Sequence, residues 1–141
     1  MRPNRKVIFE PFQGSLETEV QTRKKTKNHF TQKELIQLWL TLLKALNYLK
    51  QEGQFSRNIN PRYIVKTLQD GKFKLINNLI CKDLTHYKML LRDSTDRYCF
   101  LSPDKFKALG KNNIKNIKQT YKDEIFSIAM TILYAATLGS T

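Results

Sequence analysis

Between Phe55 and Val65 the chain reads F-S-R-N-I-N-P-R-Y-I-V, and further on Asn77 and Asn78 follow Lys74-Leu75-Ile76. The residue types here say more about missing chemistry than about present chemistry. Asn58 is an amide and cannot accept a proton as a carboxylate does. Asn77 is a poor ligand for Mg²⁺, a hard cation that prefers carboxylate or phosphate oxygens. Ser56 has no neighbouring base in the sequence to activate it. His29, His86, Cys81 and Cys99 show no zinc-type spacing. Gly14, Gly53, Gly71 and Gly110 are isolated, so no phosphate-cradling loop is present. Binding chemistry is better represented. Lys107, Lys111, Lys115, Lys118 and Lys122 recur every three or four residues, with no acid between Asp104 and Asp123. On a helix they would form one basic stripe. Arg23, Lys24, Lys25 and Lys27 make a second basic cluster. Aromatic residues are sparse in both, which weakens a single-stranded nucleic-acid platform.

The elements that must position these residues are readable. Lys6–Phe9 is a β-branched and aromatic run, expected as a strand. Pro11 and Gly14 are expected to break it. Ser15–Val20 is expected as a short helix and Arg23–Lys27 as a charged, solvated loop. Thr31-Gln32-Lys33-Glu34 is a capping box, so a helix is expected over 31–52. Leu35, Leu38, Trp39, Leu42, Leu46 and Leu49 recur on one face of it, and Leu43 widens the stripe. Gly53 is placed to end it in a left-handed conformation. Tyr63–Lys66 and Lys72–Ile76 read as strands joined by the turn Gln69-Asp70-Gly71, with a third strand expected over 79–82. Pro103–Leu109 suggests a short helix. Glu124–Leu138 is expected as a helix apolar almost all round, and therefore buried.

Composition sets the frame. The chain has 141 residues, 40% of them hydrophobic, and 25 Lys+Arg against 12 Asp+Glu give a net charge of +13. Such a surface attracts nucleic acid, anionic lipid or an acidic protein face. No apolar run is long enough to span a bilayer, and no secretory signal is evident. Cys81 and Cys99 are expected as free thiols in a reducing compartment. An intracellular location is expected, cytoplasmic, cytoskeletal or ciliary, with an organellar ribonucleoprotein as the other option.

Taken in order, the segments resemble the large lobe of a protein kinase. Ser56, Arg57, Asn58 and Ile59 stand where the catalytic-loop His, Arg, Asp and Leu would be, and Tyr63 stands for the metal-binding Asn. Arg57, Pro61 and Ile64-Val65 keep the shape of that loop. Val7–Phe12 looks like the last small-lobe strand and hinge, and Gln13-Gly14-Ser15-Leu16 is similar to the segment entering helix D. The capped helix resembles helix E. Asn77, Asn78 and Leu79 occupy the D-F-G positions. Phe100-Leu101-Ser102-Pro103-Asp104 looks like the A-P-E segment, with Pro103 and Asp104 retained as structural residues. Asp123–Ala129 is similar to the start of helix F, where Glu124 replaces the usual Asp.

The resemblance implies an α+β, mainly α fold. It would be a partial large lobe with hinge strand, helices D, E and F and small hairpins, lacking the small lobe and terminal helices. Residues 1–14 would be strand and hinge, and 15–141 the large lobe through helix F. It further implies a pseudokinase without nucleotide, cofactor or metal, serving as a structural or scaffolding subunit. Arg57 would either tie the loop to backbone carbonyls or meet a phosphorylated Ser94 or Thr95. Partners would be protein subunits with an acidic, tubulin-like surface. They would be held by the lysines above with Arg23, Lys24 and Lys25, and by the helix-F face at Ile128, Ile132 and Tyr134. Two alternatives remain: part of an active kinase whose other elements lie elsewhere, and a basic RNA-binding module.

Overall fold

Two capping boxes start the two longest helices. The computed structural model describes residues 10–57, 59–76, 100–111 and 118–140. Strand β1 (Phe12–Ser15) and helix α1 (Leu16–Thr26) come first. The long helix α2 (Gln32–Gln51) follows and carries the first box. There the Thr31 hydroxyl accepts from the Glu34 amide at 3.2 Å, and the Glu34 carboxylate accepts from the Thr31 amide at 2.7 Å. This satisfies two donors that a helix start leaves open. Helix α2 ends where the Gly53 amide donates to Lys50 O and the Gln54 amide to Leu49 O, with Gly53 at φ +65°. That pair of bonds is a Schellman cap, which the missing Cβ of glycine permits.

After α2 come a short 3₁₀ turn (Pro61–Tyr63) and strands β2 (Ile64–Thr67) and β3 (Phe73–Leu75). Helices α3 (Pro103–Gly110) and α4 (Tyr121–Ala136) follow. The described fold is α+β and mainly helical, with one antiparallel sheet in the order β1-β2-β3. In the β2–β3 turn Asp70 accepts from the Thr67 hydroxyl and the Lys72 amide, and Gly71 supplies a φ of +65°.

Four expectations need correction. Gly14 makes no turn but lies inside β1, while the strand it and Pro11 were expected to end lies outside the described residues. A bulge between Phe12 and Gly14 absorbs Gln13, and β1 pairs with β2 through Phe12–Thr67, Gly14–Lys66 and Ser15–Val65. A bulge on an edge strand tolerates these residues, and the Pro11 carbonyl still accepts from the Leu68 amide. The loop expected over Arg23–Lys27 is helical through Thr26, because Ser15 caps α1 and acids at Glu17 and Glu19 face its positive end. Helix α4 starts three residues before Glu124. Finally, Trp39 is 49% exposed although it borders the leucine stripe. One residue turns a helix by about 100°, and the buried arc of α2 is taken by Leu38, Leu42, Leu46 and Leu49. The strands expected over 6–9 and 79–82 lie outside the described residues.

The core gathers Leu16 and Val20 of α1, Leu38, Leu42 and Leu46 of α2, Ile59, Ile64, and Ile128 and Ala135 of α4. Helix α2 packs on α4 and β3, while α1 packs on the sheet and the 3₁₀ turn. Arg23 ties α1 to α2: its guanidinium donates to both oxygens of Glu34, at 2.8 and 3.2 Å, and to Glu19 at 2.9 Å. It also covers the Phe30 ring at 3.9 Å.

The Arg23 hydrogen bond, then the Thr31 amide, holds the Glu34 carboxyl down at about 2. A depressed acid stabilises the fold above its unfolded value and loses that contribution as pH falls. In urea titrations the advantage of wild type over Glu34→Gln should be full above pH 4.5 and fade as the pH drops toward 2. An advantage independent of pH would refute the assignment. Leu42→Ala should cost about 2–5 kcal/mol by cavity formation, whereas Trp39→Ala should cost less than about 1 kcal/mol.

Candidate functional site

The N-terminal turn of α4 is where the polar groups collect. Thr120 and Asp123 form the second capping box: the Asp123 amide donates to the Thr120 hydroxyl at 3.3 Å, and the Thr120 amide to Asp123 at 3.0 Å. The other Asp123 oxygen accepts from the Ser102 hydroxyl. Ser102 itself receives the Lys105 amide at 3.5 Å at the start of α3. One carboxylate thus joins the starts of two helices. Burial pushes the Asp123 carboxyl up, but hydrogen bonds from Ser102 and Thr120 and the Lys105 charge outweigh it, leaving a net lowering.

Glu124, the next residue, points inward and is 2% exposed. Its Oε1 accepts from the Arg57 backbone amide at 2.6 Å, across 67 residues of sequence. Arg57 sits at φ +63°, a left-handed conformation that non-glycine residues adopt at a cost of roughly 1–2 kcal/mol. Desolvation raises the Glu124 carboxyl above its ordinary range, against the pull of the Arg57 amide and the Lys105 charge. Lys105 is 4% exposed and donates to Gln119 Oε1. Burial lowers its amine to about 8, against the attraction of Asp123 and Glu124.

Three buried polar atoms have no hydrogen-bond partner among the described residues: Ser56 Oγ, Gln119 Nε2 and Glu124 Oε2. All three belong to this cluster. Orphaned polar atoms, a strained backbone and displaced pKa values together mark a place held for something other than packing. Its central side chains, Glu124 and Lys105, are buried, and Glu124 ties the loop at Arg57 to α4.

The expected site residues divide accordingly. Arg57 and Glu124 are brought together; Pro61, four residues after Arg57, is buried at the first position of the 3₁₀ turn. Tyr63 is half-buried, and its backbone joins the turn to β3 through the Ile76 amide at 2.8 Å. Asn58, Asn77 and Lys115 lie outside the described residues, as do His86, Ser94, Thr95 and both cysteines. Pro103 and Asp104 open α3 on its exposed side. Among the described residues no three His, Cys, Asp or Glu side chains are placed to hold a metal ion, and no helix is long and apolar enough to cross a membrane.

Some of the expected binding residues are placed otherwise than as one helical stripe or one open helix face. Lys107, Lys111, Lys118 and Lys122 are exposed, but no single helix carries them: α3 stops at Gly110 and α4 begins at Tyr121. Arg23 is used within the fold by Glu19 and Glu34, leaving Lys24 and Lys25 exposed at the end of α1. Ile128 is fully buried, and Ile132 and Tyr134 pack against the chain's own core, where Phe100 meets Tyr134 edge-on at 5.6 Å. The outward face of α4 is instead Ile125 and Leu133, 51% and 45% exposed. Ser102, Lys105 and Gln119 were not singled out from the sequence as chemical residues. The T-x-x-D spacing of Thr120 and Asp123 was a usable signal for the helix start; nothing local distinguishes Lys105 from its exposed neighbours.

No protein-family model matches the chain, and no curated protein matches it.

A base lowered by burial leaves the unfolded chain binding more protons between the two pKa values, so stability rises with pH across that window. Relative to Lys105→Met, wild type should therefore gain up to about 3 kcal/mol between pH 8 and 10.5, read by urea denaturation. A gap that stays constant over that range would show that the amine is not desolvated.

Proposed function

We propose that this chain is a catalytically inactive, protein-kinase-like scaffold subunit that docks against a partner with an acidic surface. The observation that carries the reading is the Glu124–Arg57 hydrogen bond. The sequence resemblance assigned these residues to two separate motifs, the catalytic loop and the start of helix F. Their direct contact supports the reading, because it brings the two segments together through the fold. Element order supports it too: strand, helix, long capped helix, buried loop, hairpin, short Ser-Pro-led helix and long helix follow one another as the resemblance requires.

Inactivity follows from residue chemistry. Asn58 lacks the carboxylate that would accept a hydroxyl proton, and Asn77 and Tyr63 replace the two Mg²⁺ ligands. Phosphoryl transfer depends on positioned charge, and Asn58 and Asn77 are neutral where the resemblance calls for carboxylates, while the Tyr63 phenol is a poor substitute for an amide ligand. The partner's chemistry follows from the net charge of +13 and from the exposed lysines at 24, 25, 107, 111, 118 and 122. A cytoskeletal surface of the tubulin type fits this reading, with a ribonucleoprotein as the competing setting.

A ligand that binds only the native state must raise the melting point. Mg²⁺-ATP is therefore expected to leave the thermal melt of the purified chain unchanged, and labelled ATP to leave no phosphate on a generic peptide substrate. A saturable rise in Tm together with phosphate transfer would overturn the proposal in favour of an active kinase.

A further inference from the structure

We infer that the groove between α2 and the β2–β3 turn is a docking site for an acidic peptide segment carrying an apolar anchor. This deepens the reading of an acidic partner and rests on it, while being independent of any kinase ancestry. The groove has a volume of about 410 Å³, within the range of sites that accept a few side chains. Leu38, Leu40 and Phe73 supply its apolar lining. Leu40 is 52% exposed, and Ile36, one turn earlier on α2, is 46% exposed, so the apolar surface continues out of the groove along the helix. Large side chains left in water beside a concave surface are a usual sign of an anchor site.

Charge decides the kind of occupant. Four cations and one carboxylate line the groove: Arg23, Lys44, Lys66 and Lys72 against Glu34. Glu34 and Arg23 neutralise each other through two hydrogen bonds, which leaves the three lysines to set the field. Lys44 has no carboxylate within ion-pair distance among the described residues. Lys72 is 76% exposed and only loosely paired with Asp70, at 3.9 Å. Lys66 reaches Glu19 at 3.7 Å and lies near the Phe73 ring, at 6.0 Å from its centroid. A glutamate-rich segment would meet this rim with complementary charge while a leucine or phenylalanine settled between Leu40 and Phe73. A basic segment would be repelled, and a purely acidic one would leave the apolar lining wet.

The test uses the full chain and fluorescence anisotropy. The probes are a short labelled peptide of glutamates flanking leucines, the same peptide with serine for leucine, a lysine-rich counterpart, and oligouridylate. The anchored acidic peptide should bind the wild type best. Each exposed charge pair is worth a few-fold in affinity, so Lys44→Glu with Lys72→Glu should weaken binding about tenfold. Leu40→Ser should weaken it while removing the preference for leucine. Lys50→Glu, an exposed lysine near the end of α2 and outside the groove lining, should leave it within about twofold. All of these side chains are exposed, and circular dichroism would verify that each variant folds. If the anchored peptide binds but the groove variants and the Lys50 variant behave alike, the groove is the wrong place while the acidic-partner reading stands. If no acidic peptide and no oligouridylate binds, that reading fails and this inference with it. Tighter oligouridylate binding that the groove substitutions abolish would overturn the inference in favour of an RNA site.

Discussion

The Glu124 carboxylate holding the Arg57 amide is the contact on which the arrangement of this molecule turns. Ile59, two residues past Arg57, enters the core beside Ile128, one turn past Glu124 on α4. The loop and the helix are therefore joined twice, once by a charge-assisted hydrogen bond and once by apolar burial. Neither is sufficient alone. The carboxylate is desolvated and pushed toward its neutral form, and the left-handed Arg57 backbone is tolerated only while the surroundings over-determine it. Removing the carboxylate would leave the Arg57 amide without this acceptor, and an unsatisfied buried donor costs about 1–3 kcal/mol.

Around that contact the polar residues form a chain of shared duties. Asp123 caps α4 and fixes Ser102 at the start of α3. Lys105, on α3, brings a cation to the two carboxylates. At the start of α2, Glu34 caps that helix and binds Arg23 of α1. In both places one acid side chain serves as a helix cap and as an inter-helix tie. A small core gains orientation this way without additional apolar volume.

Legibility in the sequence followed the range of the interactions. Local signals survived well: Thr31 with Glu34, Gly53 as a helix terminator, and the Asp70-Gly71 turn all depend on residues within a few positions of one another. The leucine stripe of α2 was readable as a stripe, but the place of Trp39 at its edge was not, since the width of the buried arc is set by what α4 and β3 cover. Arg23 looked like one more surface cation among Lys24 and Lys25, and only the approach of α2 turns it inward. Lys105 is the sharpest case. Its neighbours Lys107 and Lys111 share its composition and its region, and its burial is decided by residues at 119, 123 and 124 that fold back over it. The Glu124–Arg57 link joins residues 67 positions apart, and no local signal in the sequence announces it.

The position of Trp39 carries one more consequence. It is the chain's single tryptophan, and it is already half in water when the protein is folded. Its indole therefore has little further to travel into solvent on denaturation, and its emission is a quiet witness to that event. The far-ultraviolet signal of the helices, which vanishes with the backbone hydrogen bonds themselves, is the voice that reports whether this molecule is intact.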